Sequence, residues 1–140
     1  MAVTLKKMSG VILEDTGIGA NSLDTTGMCT LVKRSGNIVS QATGPTDRIV
    51  GASISETAFA SDNQTVAQLP LNYRPKEVWA EYEMAVSGGT ITVADEGKFF
   101  NLASADTVDG ATETTTIGTT QLVMTKFISS TKCWFRIVNL

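Results

Sequence analysis

The chain has no histidine, only two cysteines and only three prolines in 140 residues. Without histidine it lacks the commonest general acid–base group and the commonest metal ligand. Cys29 and Cys133 lie far apart and form no CxxC pair, so no redox motif is spelled out. A disulfide between them would need the fold to bring them together. Two buried free thiols are expected instead, because MAVTLKKMSG does not read as a secretory leader. Whether the two cysteines pair stays open at this point.

Charge is also scarce. Asp, Glu, Lys and Arg make up 18% of the chain, against about 25% in typical globular domains. The net charge is −3, and basic residues adjoin only at Lys6-Lys7 and Lys33-Arg34. No basic stripe is visible, so direct nucleic-acid binding is not expected. No run of 18 apolar residues occurs, so no membrane helix is expected and a soluble intracellular product is. The sparse charge has two explanations: a partner covers part of the surface, or Thr, Ser and Asn keep it polar.

What the chain does have is short apolar runs rich in Val, Ile and Thr, with 12 glycines between them. This spacing predicts many short strands joined by turns, hence an all-β fold: a compact barrel or sandwich of short antiparallel strands with an extended N-terminal arm. Residues 1–20 are read as arm and loop, with the alternating segment Ala2–Lys7 either a strand or an extended arm, and 21–140 as the β-rich domain. Strands are expected at Met28–Lys33 and Ile38–Gln41 (a hairpin about Arg34–Asn37), at Arg48–Ser55 and at Thr65–Leu69. Gly51 inside RIVGASIS suggests a bulge. Gly17–Ser22 reads as a loop, Gly44–Asp47 as a break and Ser61–Gln64 as a turn.

Lys76–Val86 fits both periods. As a strand it puts Val78, Ala80, Tyr82, Met84 and Val86 on one face, with Glu77, Trp79, Glu81 and Glu83 on the other. As a helix it stripes Val78, Tyr82, Ala85 and Val86. The strand is preferred because turns and hairpins surround it. Gly88-Gly89 is then a turn, Thr90–Val93 a strand, Ala94–Gly97 a turn and Lys98–Leu102 a strand. Ser104–Thr116 reads as a long mobile polar loop. Thr119–Phe127 and Cys133–Leu140 are the closing strands, with a turn at Ile128–Lys132 and Cys133, Phe135 and Ile137 sharing a face.

Few constellations suggest chemistry. Asp95-Glu96-Gly97 puts two acids at a break, but a calcium loop needs more oxygen ligands at alternating spacing. The residues suit a turn better. Asp106, Asp109 and Glu113 are too loosely spaced for a calcium loop. Gly17-Ile18-Gly19 lacks the rest of a dinucleotide fingerprint. Ser and Thr abound without a histidine to activate them. Trp79 is an apolar ring on a face of glutamates, either a contact residue or one packed under a loop. No catalytic residue, metal ligand or cofactor site is assigned.

The order of segments in the second part of the chain resembles the small capsid decoration (cement) proteins of tailed bacteriophages. Gly51, Thr90-Ile91, Asp95-Glu96-Gly97-Lys98, Ile117-Gly118 and Val138-Asn139-Leu140 carry the likeness, which spans roughly Arg48–Leu140. The chain departs from the family pattern at Val93-Ala94, which no Gly-Asp precedes, and at Thr119–Val123, which lacks the usual small residues. The resemblance implies a non-enzymatic virion protein on the outer surface of the capsid, present in the host cytoplasm during assembly. Its partner would be the major capsid protein, and it would act as a homo-oligomer, trimer or dimer, with neither nucleic acid nor membrane bound directly. It also implies an N-terminal arm that orders on the shell, so Ala2, Val3, Thr4, Leu5, Lys6 and Lys7 join Trp79 as expected contact residues. That arm would add a strand to a partner sheet and be mobile in the free protein. Two other readings stand beside it: a glycan- or ligand-binding β-module of a fibre or surface assembly, and a hydrolase using Ser and Lys.

Overall fold

The computed structural model describes residues 3–9, 13–18, 30–35, 38–52, 66–70, 79–116 and 120–138. Their architecture is all-β, as the sequence predicts. Eleven strands run in chain order: β1 Thr4–Ser9, β2 Leu13–Ile18, β3 Leu31–Ser35, β4 Ile38–Gln41, β5 Ile49–Ala52, β6 Val66–Pro70, β7 Trp79–Ser87, β8 Phe99–Ser104, β9 Thr107–Thr114, β10 Leu122–Ser129 and β11 Lys132–Ile137.

One sheet has the order β1-β7-β11-β10-β8-β9, and β9 returns to pair with β7. Five strands therefore close into a barrel, and β1 is an addition to it. The closure depends on the length of β7. One edge of β7 pairs with β11. Its other edge is shared, with β1 opposite Trp79–Glu83 and β9 opposite Ala85–Ser87. The second sheet runs β5-β3-β4-β2-β6 and includes one parallel pair, β2–β4.

Alternation explains the strands that wall the barrel. Ala80, Tyr82, Met84 and Val86 of β7 are buried, as are Cys133, Phe135 and Ile137 of β11. Phe100 and Phe135 meet edge to face with centroids 5.9 Å apart, a favoured aromatic geometry. The same core takes in Leu31, Ala42, Ile49 and Ala52 from the β3–β5 region, so the second sheet packs on the barrel. Gln121 fastens that junction. Its Oε1 accepts the Leu102 amide at 2.9 Å, and its Nε2 donates to the carbonyls of Gly44 at 2.9 Å and Asp47 at 2.5 Å.

The Lys76–Val86 ambiguity is resolved as a strand over the described residues. The hairpin at Arg34–Asn37 is present, with Ser35 opposite Ile38. The expected irregularity at Gly51 is present too: Val32 faces Gly51 while Lys33 faces Ile49, which leaves Val50 extra.

Three expectations are corrected. Gly17 and Ile18 belong to β2, opposite Ile38 and Val39, rather than to a loop. Thr90–Val93 is no strand: Thr92 caps a 3-10 helix, Val93–Asp95. Its hydroxyl and the Asp95 carboxylate offer the chain a local capping box in place of a ladder. Ser104–Thr116 is mostly strand β9, paired with β8 and β7. Its polar residues hid a threonine-rich strand whose inward positions include Val108 and Gly110. Gly110 has no side chain because the Gly88-Gly89 turn crosses it: a Cβ on Gly110 would collide with the Gly88 carbonyl oxygen, and one on Gly89 would lie 2.5 Å from the Gly110 carbonyl oxygen. Gly88 and Gly89 also take φ of 69° and 63°, which side chains rarely adopt. Within the expected N-terminal arm, Thr4–Ser9 pairs with β7 of its own chain and Leu13–Ile18 with β6 and β4. Ser61–Gln64 lies outside the described residues.

Candidate functional site: the outer wall of the barrel

Two acidic candidates from the sequence meet at one end of the barrel. Lys98 Nζ contacts Asp95 at 2.8 Å and also Glu113. Asp95 Oδ2 accepts the Thr92 amide at 2.8 Å. The Lys98 ammonium and the Thr92 amide hold the Asp95 carboxyl below its usual range, while Asp95 and then Glu113 raise the Lys98 ammonium. Glu96 accepts the Phe127 amide at 2.8 Å, beside a register shift in β10. Each acid therefore has a structural partner, and the segment is a capped turn. Asp109 accepts the Ala111 amide at 3.0 Å, and Asp106 accepts the Ser104 and Thr107 hydroxyls. Among the described residues, no group of three or more His, Cys, Asp or Glu is placed to hold a metal.

The nucleophile candidates fare similarly. Cys133 is buried and donates to the Ser129 carbonyl at 3.3 Å; burial pushes its thiol up, away from the reactive thiolate. Cys29 lies outside the described residues. Lys33 donates to the Thr43 hydroxyl at 3.2 Å but also to Asp47 at 3.1 Å, so it serves as a donor clamp. Burial pushes the Asp47 carboxyl up, but the Thr43 amide, Lys33, the Thr43 hydroxyl and the Gly44 amide together bring it below its usual range.

The densest polar constellation lies elsewhere, on the outer face of β1, β7, β11 and β10. Trp134 points outward from β11, half-buried. Its indole N–H donates to Glu83 Oε2 at 3.2 Å, which fixes the ring edge. Three ammonium groups surround the ring: Lys126 at 4.7 Å from its centroid, Lys7 at 5.5 Å and Lys6 at 5.9 Å. Such contacts contribute about 0.5–1 kcal/mol each when exposed. Glu83 also pairs with Lys6 at 3.5 Å and Lys132 at 3.7 Å. The Trp134 N–H, then Lys6 and Lys132, hold its carboxyl below the usual range against some burial. Glu81, 6% exposed, takes Arg136 at 2.8 Å.

The register builds this cluster. Lys7 faces Glu81, Thr4 faces Glu83, Glu83 faces Trp134 and Trp134 faces Lys126. Of the expected contact residues, Lys6 and Lys7 stand here and Thr4 is exposed nearby, but Val3 is 1% exposed and Leu5 packs against the core. Ala2 lies outside the described residues. Trp79 begins β7 opposite Ser9, and its side chain lies outside what is described. Sequence reasoning missed Trp134, Lys126, Lys132 and Arg136 as a site. The only available signal was alternation in KCWFRI, which puts Lys132, Trp134 and Arg136 on one face. Set against protein families, curated proteins and solved structures, the chain matches none of them.

Proposed function

We propose that this is a structural, non-enzymatic protein that binds the outer surface of a tailed-phage head and ties neighbouring capsid subunits together. One observation carries the reading beyond the segment order. The outer wall of the barrel gathers one aromatic ring, Trp134, with Lys6, Lys7, Lys126, Lys132, Arg136, Glu81 and Glu83, while its interior is packed with Tyr82, Phe100, Phe135 and Met124. A convex wall suits a broad macromolecular surface better than a small substrate, which needs a concave site. A half-buried tryptophan among charges is a common interface anchor. The test uses heads of the encoding phage assembled without this protein. Added protein should bind them and raise their resistance to heat; absence of binding to expanded heads overturns the reading.

The second reading, a glycan-binding module, draws on the same ring: a sugar would stack on the indole by displacing the lysine ammonium groups over it. It predicts that a glycan array gives hits that Trp134→Ala abolishes. An array without hits removes it.

A further inference from the structure

We propose that the wall around Trp134 is a docking site for an acidic protein surface. The inference rests on the head-binding reading for the identity of the partner, and it names the chemistry of the partner's contact area. Five cations, Lys6, Lys7, Lys126, Lys132 and Arg136, share this wall with two carboxylates, Glu81 and Glu83. The patch is thus positive in a chain whose net charge is negative. The carboxylates are already engaged: Glu81 by Arg136, and Glu83 by Lys6, Lys132 and the Trp134 N–H.

Lys7 and Lys126 differ from the rest. Both are exposed, both approach the Trp134 ring, and neither has a carboxylate partner among the described residues. With Lys6 they lie within 5.9 Å of one point. That is shorter than the ~8 Å Debye length at physiological salt, so their fields add. An incoming carboxylate would relieve this repulsion and find a direction already set by the ring.

Two features favour an acidic protein over a nucleic acid. The ammonium groups crowd the ring, so a base could stack only by displacing them. The two glutamates interrupt the patch; a continuous phosphate chain would meet them, whereas separate carboxylates can avoid them.

The experiment uses the full chain. A labelled oligo-glutamate peptide, its glutamine counterpart and a single-stranded oligo-dT, each about ten units long, are titrated by fluorescence anisotropy at low and physiological salt. Lys126→Glu and Lys7→Glu are compared with Arg48→Glu, an equal charge change on the exposed residue before β5. The expected result is salt-dependent binding of oligo-glutamate, weakened at least about fivefold by each lysine variant and less than about twofold by Arg48→Glu. Lys126→Gln should weaken it in the same direction without introducing a negative charge. No binding of oligo-glutamate, equal losses for all three reversals, or tighter binding of oligo-dT would each overturn the proposal. Heads separate the two readings. If heads bind the parent chain and Lys126→Glu equally, this inference fails and the head-binding role stands. If the peptide binds as expected but heads do not, the head-binding role fails and the acidic-surface site stands.

Discussion

The two faces of the β7–β11 wall are built from the same strands by opposite rules. Inside, Tyr82, Met84, Phe135 and Ile137 are almost wholly buried, and each position depends on shape. Outside, Glu81, Glu83, Trp134 and Arg136 depend on charge, and the cations exceed what the carboxylates match. The difference separates what holds the fold from what is left over for a partner. Substitutions on the inner face should therefore be read in stability. Those on the outer face should be read mostly in binding.

The largest effect should come from Phe135→Ala. It removes a fully buried ring and its contact with Phe100, at a cost of about 3–5 kcal/mol. Urea denaturation should show the midpoint fall accordingly; a cost near that of a surface change would break the contrast between the faces. Arg136→Met comes next. It keeps much of the stem but leaves Glu81, nearly buried, without its 2.8 Å partner, for about 1–3 kcal/mol by the same measurement. Glu81→Gln with Arg136→Met should recover part of that loss.

The smallest effect concerns pH. The carboxyls of Glu83, Asp47 and Asp95 are all held below their ordinary values of 4.5, 3.8 and 3.8. A carboxyl depressed by folding stabilises the native state above its unfolded pKa, and that contribution is lost as pH falls through the folded value. The denaturation midpoint should thus decline from about pH 5 down to about pH 3 and beyond. Glu83→Gln should flatten part of this decline from the outer wall, and Asp95→Asn a separate part from the capped turn. Unchanged pH profiles in both variants would show that these contacts do not survive in solution.

The inner face was legible in the sequence and the outer one was not, for a physical reason. Burial imposes a period of two, so Ala80, Tyr82, Met84 and Val86, or Cys133, Phe135 and Ile137, announce themselves within one segment. The Trp134 cluster draws on β1, β7, β10 and β11, and only the register of Lys7 on Glu81 and of Lys126 on Trp134 assembles it. No basic stripe is visible in the sequence because Lys6 and Lys7 meet Lys126 and Lys132 only after folding. The acidic turn is hidden for another reason. Asp95 and Glu113 stand in separate acidic segments of the sequence, and Lys98, which joins them, carries no acidic signal of its own. Strand β9 was hidden because its inward side needs little bulk where Gly110 underlies the Gly88-Gly89 turn.

Gln121 has a thermodynamic consequence. It is fully buried, and its amide joins the barrel to the Gly44–Asp47 turn of the other sheet. If the sheets parted, the Gln121 side-chain N–H groups and the Gly44 and Asp47 carbonyls would lose their partners together, and the apolar surface shared around Leu31 and Ile49 would be exposed. Neither half has a stable way to melt first. The molecule should absorb heat in one sharp calorimetric transition, with equal calorimetric and van't Hoff enthalpies.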